Sequence, residues 1–193
     1  MYKNPHGFTL IEILVSTAIF IIIMVMAMGA LLSVSAANNK ATSIKTVMDN
    51  LNFALDSMSR SIRTGQDYKC AGVGDCPSGA FSITFEAHPS SQPGCTSGSA
   101  CSVTYCLSNT AGTACGSSGP YILRNVNATG LVAITAAEVT IEKLTFYIIG
   151  APLWDSIQPK TTIIISGRTQ SGGTVPSTTF NVQTSVTQRI YDQ

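Results

Sequence analysis

The sequence predicts an α+β protein in which one long N-terminal helix packs by its second half against an antiparallel β-sheet domain. Three observations support this prediction. An uncharged apolar run fills residues 13–34, a helical stripe of apolar residues follows it, and beyond Gly65 apolar and polar residues alternate. With 193 residues, the chain is long enough for one domain with an appendage and too short for two full domains.

The first predicted element is a membrane-spanning helix. The apolar run at residues 13–34 is long enough to cross a hydrocarbon core about 30 Å thick. Because Lys3 precedes it, the positive-inside bias predicts that residues 1–7 stay cytoplasmic and that the remainder is exported. A secretory signal cleaved near Ala37 is the alternative. The apolar region of such a signal usually spans about 7 to 15 residues, however, and an acid such as Glu12 at its start is unusual.

The helix is predicted to continue from the apolar run into an amphipathic second half. Apolar residues recur there at steps of three and four, which is typical of a helix with one buried face. They are Ile44, Val47, Met48, Leu51, Leu55, Met58 and Ile62. Gly65 is interpreted as the C-terminal stop. A helix from about residue 9 to 64 would be about 80 Å long, far more than a bilayer requires.

Beyond the helix, residues 65–193 are predicted to form an exported β-sheet domain. Apolar and polar residues alternate there, and this alternation predicts half-buried strands at 81–87, 103–107, 121–124, 139–149, 162–165 and 180–190. The connecting segments are rich in Gly, Ser, Thr and Pro and are interpreted as loops, among them "CAGVGDCPSG" and "HPSSQPGCTSGSAC".

All six cysteines lie in the exported part and are predicted to form disulfides. They are Cys70, Cys76, Cys95, Cys101, Cys106 and Cys115. A metal site is not expected, because the sequence has no CxxC pair and His88 is the one histidine of the region. Six cysteines allow fifteen connectivities. Sequential pairs are favoured, since each would close one loop.

Neither catalysis nor a cofactor is predicted. No Gly-x-Ser-x-Gly elbow accompanies His88, and the glycine-rich stretch from Gly72 lacks the flanking strand and helix of a phosphate loop. Asp67 and Asp75 lack the alternating acids of a calcium loop. With 11 Lys and Arg against 10 Asp and Glu, and no basic stripe on the strands, nucleic acid is not favoured as a partner.

Glu12 is the unusual residue of the apolar segment. A charge in hydrocarbon costs at least a few kcal/mol, so an intramembrane acid normally has a partner. Local pairing with Lys3 is one alternative, since Glu12 lies near the cytoplasmic end of the span, where water is close. The surrounding "GFTLIEILVSTAIF", residues 7–20, resembles the prepilin cleavage motif of type IV pilins and type II secretion pseudopilins. The resemblance implies a pilin-like fold, a leader peptide at residues 1–7, and a prepilin peptidase that cuts after Gly7 and methylates the new amino terminus at Phe8.

The resemblance also implies a partner for Glu12. In that family the glutamate at this position is thought to neutralise the N-terminal amine of a neighbouring subunit, here Phe8 of another molecule, during docking into a filament. Major pilins usually carry a proline at the position of Gly29. Glycine weakens a helix by about 1 kcal/mol relative to alanine, so Gly29 is predicted to melt locally on assembly. This departure favours a minor pilin or pseudopilin over a main shaft subunit.

The strand pattern of the exported domain is similar to that of J-type minor pseudopilins and W-type minor pilins, which implies a place at or near the filament tip. Residues 8–34 would then be both membrane anchor and filament core, and residues 35–64 their amphipathic continuation. The expected protein is a non-enzymatic, single-pass subunit, N-in and C-out in the inner membrane, that later enters a periplasmic or extracellular filament.

The implied partners are the prepilin peptidase, other pilin or pseudopilin subunits, the inner-membrane assembly platform, and lipid before assembly. The alternative hypothesis is a signal-anchored envelope protein that never polymerises and whose β-domain binds a ligand. It predicts an intact N-terminus.

Overall fold

The computed structural model describes residues 7–72, 74–87, 95, 101–152, 157–169 and 177–189. Within this part of the chain one helix is followed by nine strands. They are α1 (Leu10–Arg63), β1 (Gly65–Cys70), β2 (Cys76–Ala80), β3 (Ser82–Ala87), β4 (Cys101–Leu107), β5 (Ile122–Val126), β6 (Leu131–Ala133), β7 (Val139–Ile149), β8 (Lys160–Thr169) and β9 (Thr179–Thr187). Lys3, His88 and Ile190 lie outside the described residues.

The 54-residue helix α1 confirms the predicted uninterrupted helix to within a residue at each end. It begins where the carbonyl of Thr9 accepts hydrogen bonds from the amides of Glu12 and Ile13, at 3.1 and 3.3 Å. Arg60 and Arg63 lie in the last turn, where cations interact favourably with the helix dipole. The chain divides into two compact units, Met1–Thr42 and Ser43–Gln193, and α1 contributes to both.

In the first unit, α1 carries no charge between Glu12 and Lys40 and is mostly apolar, and every described residue is exposed. By length and composition this helix is apolar enough to cross a membrane. Its hydroxyl groups are satisfied internally, since Ser16 Oγ donates to the carbonyl of Glu12 at 2.7 Å and Thr17 Oγ1 donates to that of Ile13 at 3.0 Å. Such back-bonding lets Ser and Thr lie in an apolar environment without an unpaired donor.

In the second unit, α1 buries one stripe against the sheets. The buried residues are Val47, Leu51, Ala54, Leu55, Met58, Ser61 and Ile62. The predicted stripe is confirmed except at its edge, where Ile44 is half-buried and Met48 is 40 % exposed. Met48 follows Val47 directly, so the helical twist of about 100° per residue turns it away from the core. The stripe joins residues of both sheets in one core, and Tyr105 donates a hydrogen bond to Ser61 within it.

The strands form two antiparallel sheets, where the sequence predicted one. The first has the order β1-β3-β4-β5-β6 and the second the order β2-β7-β8-β9. All six predicted strands are present, as β3, β4, β5, β7, β8 and β9. The loop interpretation of "CAGVGDCPSG" was wrong at its end, because Cys76–Ala80 pairs with β7. Pro77 is tolerated there because β2 is an edge strand, where a missing amide donor costs little.

Gly65 has a different role from the predicted helix stop. Its backbone does not adopt the left-handed conformation of a glycine cap, and it already belongs to β1. A Cβ at this position would collide with the ring of Phe85. The helix end is stabilised instead by the buried hydroxyl of Tyr68, which lies 2.5 Å from the carbonyl oxygen of Ile62 and 2.7 Å from that of Gly65.

All six cysteines form disulfides, with the sequential pairing that the sequence favoured. The bonds join Cys70 to Cys76, Cys95 to Cys101 and Cys106 to Cys115, across Cα–Cα distances of 6.0, 5.7 and 5.6 Å. Cys70 ends β1 and Cys76 begins β2, so the first of these bonds links the two sheets covalently.

Candidate functional site

The candidate site is the N-terminal end of α1, where a short exposed segment leads into the apolar helix. Gly7, Phe8 and Thr9 precede the first helical residue, and the side chain of Phe8 is 78 % exposed. A Cβ added at Gly7 would meet no heavy atom within 4 Å. The fold therefore does not require glycine at this position.

Glu12 lies in the first turn of α1, four residues after Phe8, and it is exposed. Near the N-terminus of a helix, a carboxylate is favoured by the dipole of the backbone. Among the described residues no cation lies within ion-pairing distance of Glu12. Gly7 and Phe8 thus lie just before α1, and Glu12 lies in its first turn. A partner for Glu12 would come from another molecule or from Lys3, which lies outside the described residues.

Gly29 lies within regular α-helix, and a Cβ added to it would meet no heavy atom within 4 Å. No packing contact with a described residue accounts for a glycine here. Its helix-weakening effect is the property that distinguishes it from alanine. Local melting at Gly29 stays a prediction, since the helix is continuous in this single chain.

No group of three or more His, Cys, Asp or Glu side chains that could hold a metal ion occurs in the part of the chain that the structure describes. One cavity of about 320 Å³ is lined in part by Ser118, Thr140 and Glu142. Another, of about 200 Å³, lies beside Arg124 and Val132. Neither lining contains the histidine or cysteine that a nucleophile–base pair would use.

Comparison with protein families gives a match to the prokaryotic N-terminal methylation motif over residues 2–28. The matched range contains Gly7, Phe8 and Glu12 and ends one residue before Gly29. Neither the curated proteins nor the solved structures contain a significant match to the chain.

A methylation motif of this prepilin type indicates the type IV pilin and pseudopilin family, whose members are generally structural proteins and not enzymes. The motif implies processing by a prepilin peptidase, and together with the apolar helix it suggests a precursor anchored in the inner membrane. The long helix packed on antiparallel sheets is the pilin-like α+β architecture.

Proposed function

We propose that this protein is a minor subunit of a type IV pilus or of a type II secretion pseudopilus, located at or near the filament tip. The observation that carries the proposal is the prepilin-type methylation motif at residues 2–28, which overlaps an apolar helix with no buried residue up to Thr42. The exposed junction at Gly7 and Phe8 provides the cleavage site, and Phe8 becomes the methylated amino terminus.

The apolar half of α1 serves in two environments. In the membrane, lipid covers residues 8–34, and the backbone groups of the helix are bonded internally, as hydrocarbon requires. In the filament, the same segments of neighbouring subunits cover one another, which keeps the apolar surface away from water. One surface is thus suited to both states, and extraction from the membrane exchanges lipid contacts for subunit contacts.

In this proposal, Glu12 fixes the axial position at which one subunit docks against the next. Its carboxylate has no cationic partner among the described residues, and cleavage creates a new cation at the amine of Phe8. Each of these charges is costly alone in apolar surroundings, while the pair at hydrogen-bonding distance is tolerated. Pairing between the amine of one subunit and Glu12 of the next therefore favours one axial position over others.

Two features support a minor subunit. Gly29 stands where major pilins usually carry proline, and the strand pattern of residues 65–193 is similar to that of J-type minor pseudopilins and W-type minor pilins. K-type tip subunits usually lack the glutamate that is present here as Glu12. A subunit that has Glu12 is able to dock beneath another subunit. This fits a position just below the outermost subunit of the filament.

The decisive experiment is the N-terminal mass of the full chain co-expressed with and without a prepilin peptidase. We expect loss of residues 1–7 and one added methyl group on Phe8 only when the peptidase is present. The matched control is Gly7→Val, which the fold tolerates because a Cβ at this position meets nothing within 4 Å. This variant should keep residues 1–7 under both conditions.

The alternative, a signal-anchored envelope protein that does not polymerise, predicts an intact Met1 in every sample. A new terminus near Ala37 would instead mean an ordinary secretory signal. A second measurement distinguishes a subunit that polymerises from a protein that is only cleaved. It tests whether the mature chain is present in sheared or affinity-purified filaments. Its absence from filaments in cells that assemble them would contradict the proposed subunit role.

A further inference from the structure

The five-stranded sheet has an inner face that the rest of the domain covers only in part. One row of directly paired residues crosses this face from β1 through β3, β4 and β5 to β6. Its members are Cys70, Ile83, Tyr105, Arg124 and Val132. The first three are 0 % exposed, Arg124 is half-buried, and Val132 is 65 % exposed. The core therefore ends at β5, and an apolar part of the inner face stays open at β6.

The width of the sheet explains this open part. Strands lie about 4.8 Å apart, so five strands are wider than one helix, whose diameter is about 10 Å. The buried stripe of α1 packs in one core with residues of β1, β3, β4 and β5, whereas Ile134 of β6 is only partly buried against that core. The uncovered inner face beside α1 is thus suited to a second helix, which would lie next to the first.

The open part contains a cavity of about 200 Å³, which we call the β6 cavity. Its walls include the aliphatic side chains of Val126, Val132 and Ile134, and Arg124 adds a guanidinium group. A cavity of about 150 Å³ is known to admit benzene, so this one is large enough for a phenyl ring. A guanidinium group binds favourably to the face of an aromatic ring and to a carboxylate. The β6 cavity is therefore suited to an aromatic side chain that has an acid nearby.

Phe53 of α1 is an aromatic side chain of this kind. It is 75 % exposed, although its neighbours Ala54 and Leu55 are buried in the core. Asp56 lies three residues further on and presents an exposed carboxylate, which pairs with Arg60 on the helix surface. No residue of α1 lines the β6 cavity, so Phe53 does not fill the cavity of its own chain.

We propose that Phe53 of one copy of this chain binds in the β6 cavity of a second copy, with Asp56 beside Arg124 of that copy. A second copy is the occupant because both halves of the contact belong to this chain. The protruding ring matches the cavity in size, and the acid next to it matches the cation of the cavity in charge. Exposed aromatic side chains that enter a partner's pocket commonly contribute a large share of binding energy.

The contact keeps both copies in the same orientation in one membrane. Phe53 projects sideways from α1, and the β6 cavity lies on the sheet face that packs alongside α1. A rotation about the membrane normal, with a shift along it, therefore brings the ring to the cavity without reversing either helix. Because the two surfaces differ, the contact is head-to-tail and further copies can repeat it. It does not depend on the proposed function, since copies that are only anchored can make it.

Cross-linking between two differently tagged full chains in one membrane tests the contact. One chain carries Ser57→Cys, on the same face of α1 as Phe53, and the other carries Val132→Cys. The native cysteines all form disulfides, so the introduced thiols are the reactive ones. In cells without filament machinery, a short bifunctional maleimide should give a mixed dimer. The control pair, Ser57→Cys with Gln183→Cys on the exposed side of β9, should give about tenfold less.

The decisive variant adds Phe53→Ala to the chain that carries Ser57→Cys. Loss of the buried ring should lower cross-linking to Val132→Cys by about tenfold, and the fold should persist because Phe53 is exposed within its own chain. The matched control is Phe81→Ala in the same chain, which removes another exposed ring outside the contact and should leave cross-linking unchanged. Equal cross-linking of these two variants, or of the Val132→Cys and Gln183→Cys pairs, would overturn the proposal. Cross-linking of Val132→Cys only to a different protein would overturn it as well.

Discussion

The hydroxyl of Tyr68 is expected to stabilise the junction between α1 and β1. Tyr68 is 2 % exposed, and its hydroxyl lies at hydrogen-bonding distance from the carbonyl oxygens of Ile62 and Gly65. The last carbonyls of a helix have no partner within the helix, so an outside donor stabilises them. This tyrosine was not recognised from sequence, because its partners are the backbone groups of a helix end whose position depends on the fold.

Tyr68→Phe should lower the free energy of unfolding by about 1–3 kcal/mol, because it removes the buried hydroxyl that donates a hydrogen bond at the end of the helix, while keeping the ring contact with Phe85. Urea unfolding of the full chain in detergent, followed by circular dichroism, measures this change. The control is Tyr147→Phe, at a half-buried residue whose hydroxyl makes no hydrogen bond with a described residue. Equal stability of the two variants would contradict the role of Tyr68.

Glu12 is the residue for which the charge itself is expected to matter. Glu12→Gln keeps the size of the side chain and removes its charge, so membrane insertion and cleavage after Gly7 should be unchanged. Removing one member of a charge pair in apolar surroundings costs about 3–5 kcal/mol, and filament incorporation should therefore fall at least tenfold. Immunoblots of the sheared filament fraction measure it, with Asp49→Asn in the second unit as control. Normal incorporation of Glu12→Gln would exclude the docking role.

At the scale of elements, the strands that the sequence predicted are those with a clear alternation of apolar and polar residues, such as β7 and β9. The strands it missed lack this signal. The first, β1, carries Asp67 at a positive φ of 53°, β2 contains Pro77 and Gly79, and β6 is only three residues long. These segments become strands because a neighbour provides hydrogen-bonding partners, which is a tertiary effect that local propensity does not contain.

A substitution at Gly29 can change the local stability of the long helix without altering a side-chain contact. Gly29→Ala should stabilise the helix locally by about 1 kcal/mol, because alanine loses less backbone entropy. Hydrogen exchange of the full chain in micelles should slow several-fold around residue 29. The reciprocal variant, Ala27→Gly, should accelerate exchange in the same turns. If melting at Gly29 is needed for assembly, Gly29→Ala will also enter filaments less efficiently, whereas unchanged exchange would remove the physical basis of the melting prediction.

At the scale of the whole molecule, the sequence predicts features formed within one continuous segment, and it does not predict features formed between distant segments. The site around Gly7, Phe8 and Glu12 is a continuous segment, so its residues and spacing were recognisable without a structure. The core is formed by the α1 stripe and both sheets, and only the stripe and the alternating strands were visible in advance. The division into two sheets depends on strand pairings between distant segments, such as β2 with β7, which no local pattern encodes.

The distribution of buried residues predicts that the second unit folds without the first. Every described residue up to Thr42 is exposed, and the core begins at Val47. A chain lacking residues 1–42, exported by a cleavable signal so that its disulfides form, should be soluble without detergent and unfold cooperatively. A chain lacking residues 1–52 is the matched control. It also loses Val47 and Leu51, which are 3 % and 1 % exposed, and it should be less stable by about 3–6 kcal/mol. The urea midpoints of the two truncated chains measure this difference in stability. If the chain lacking residues 1–42 is soluble only in detergent, the apolar half of α1 is part of the folded domain and the prediction is wrong.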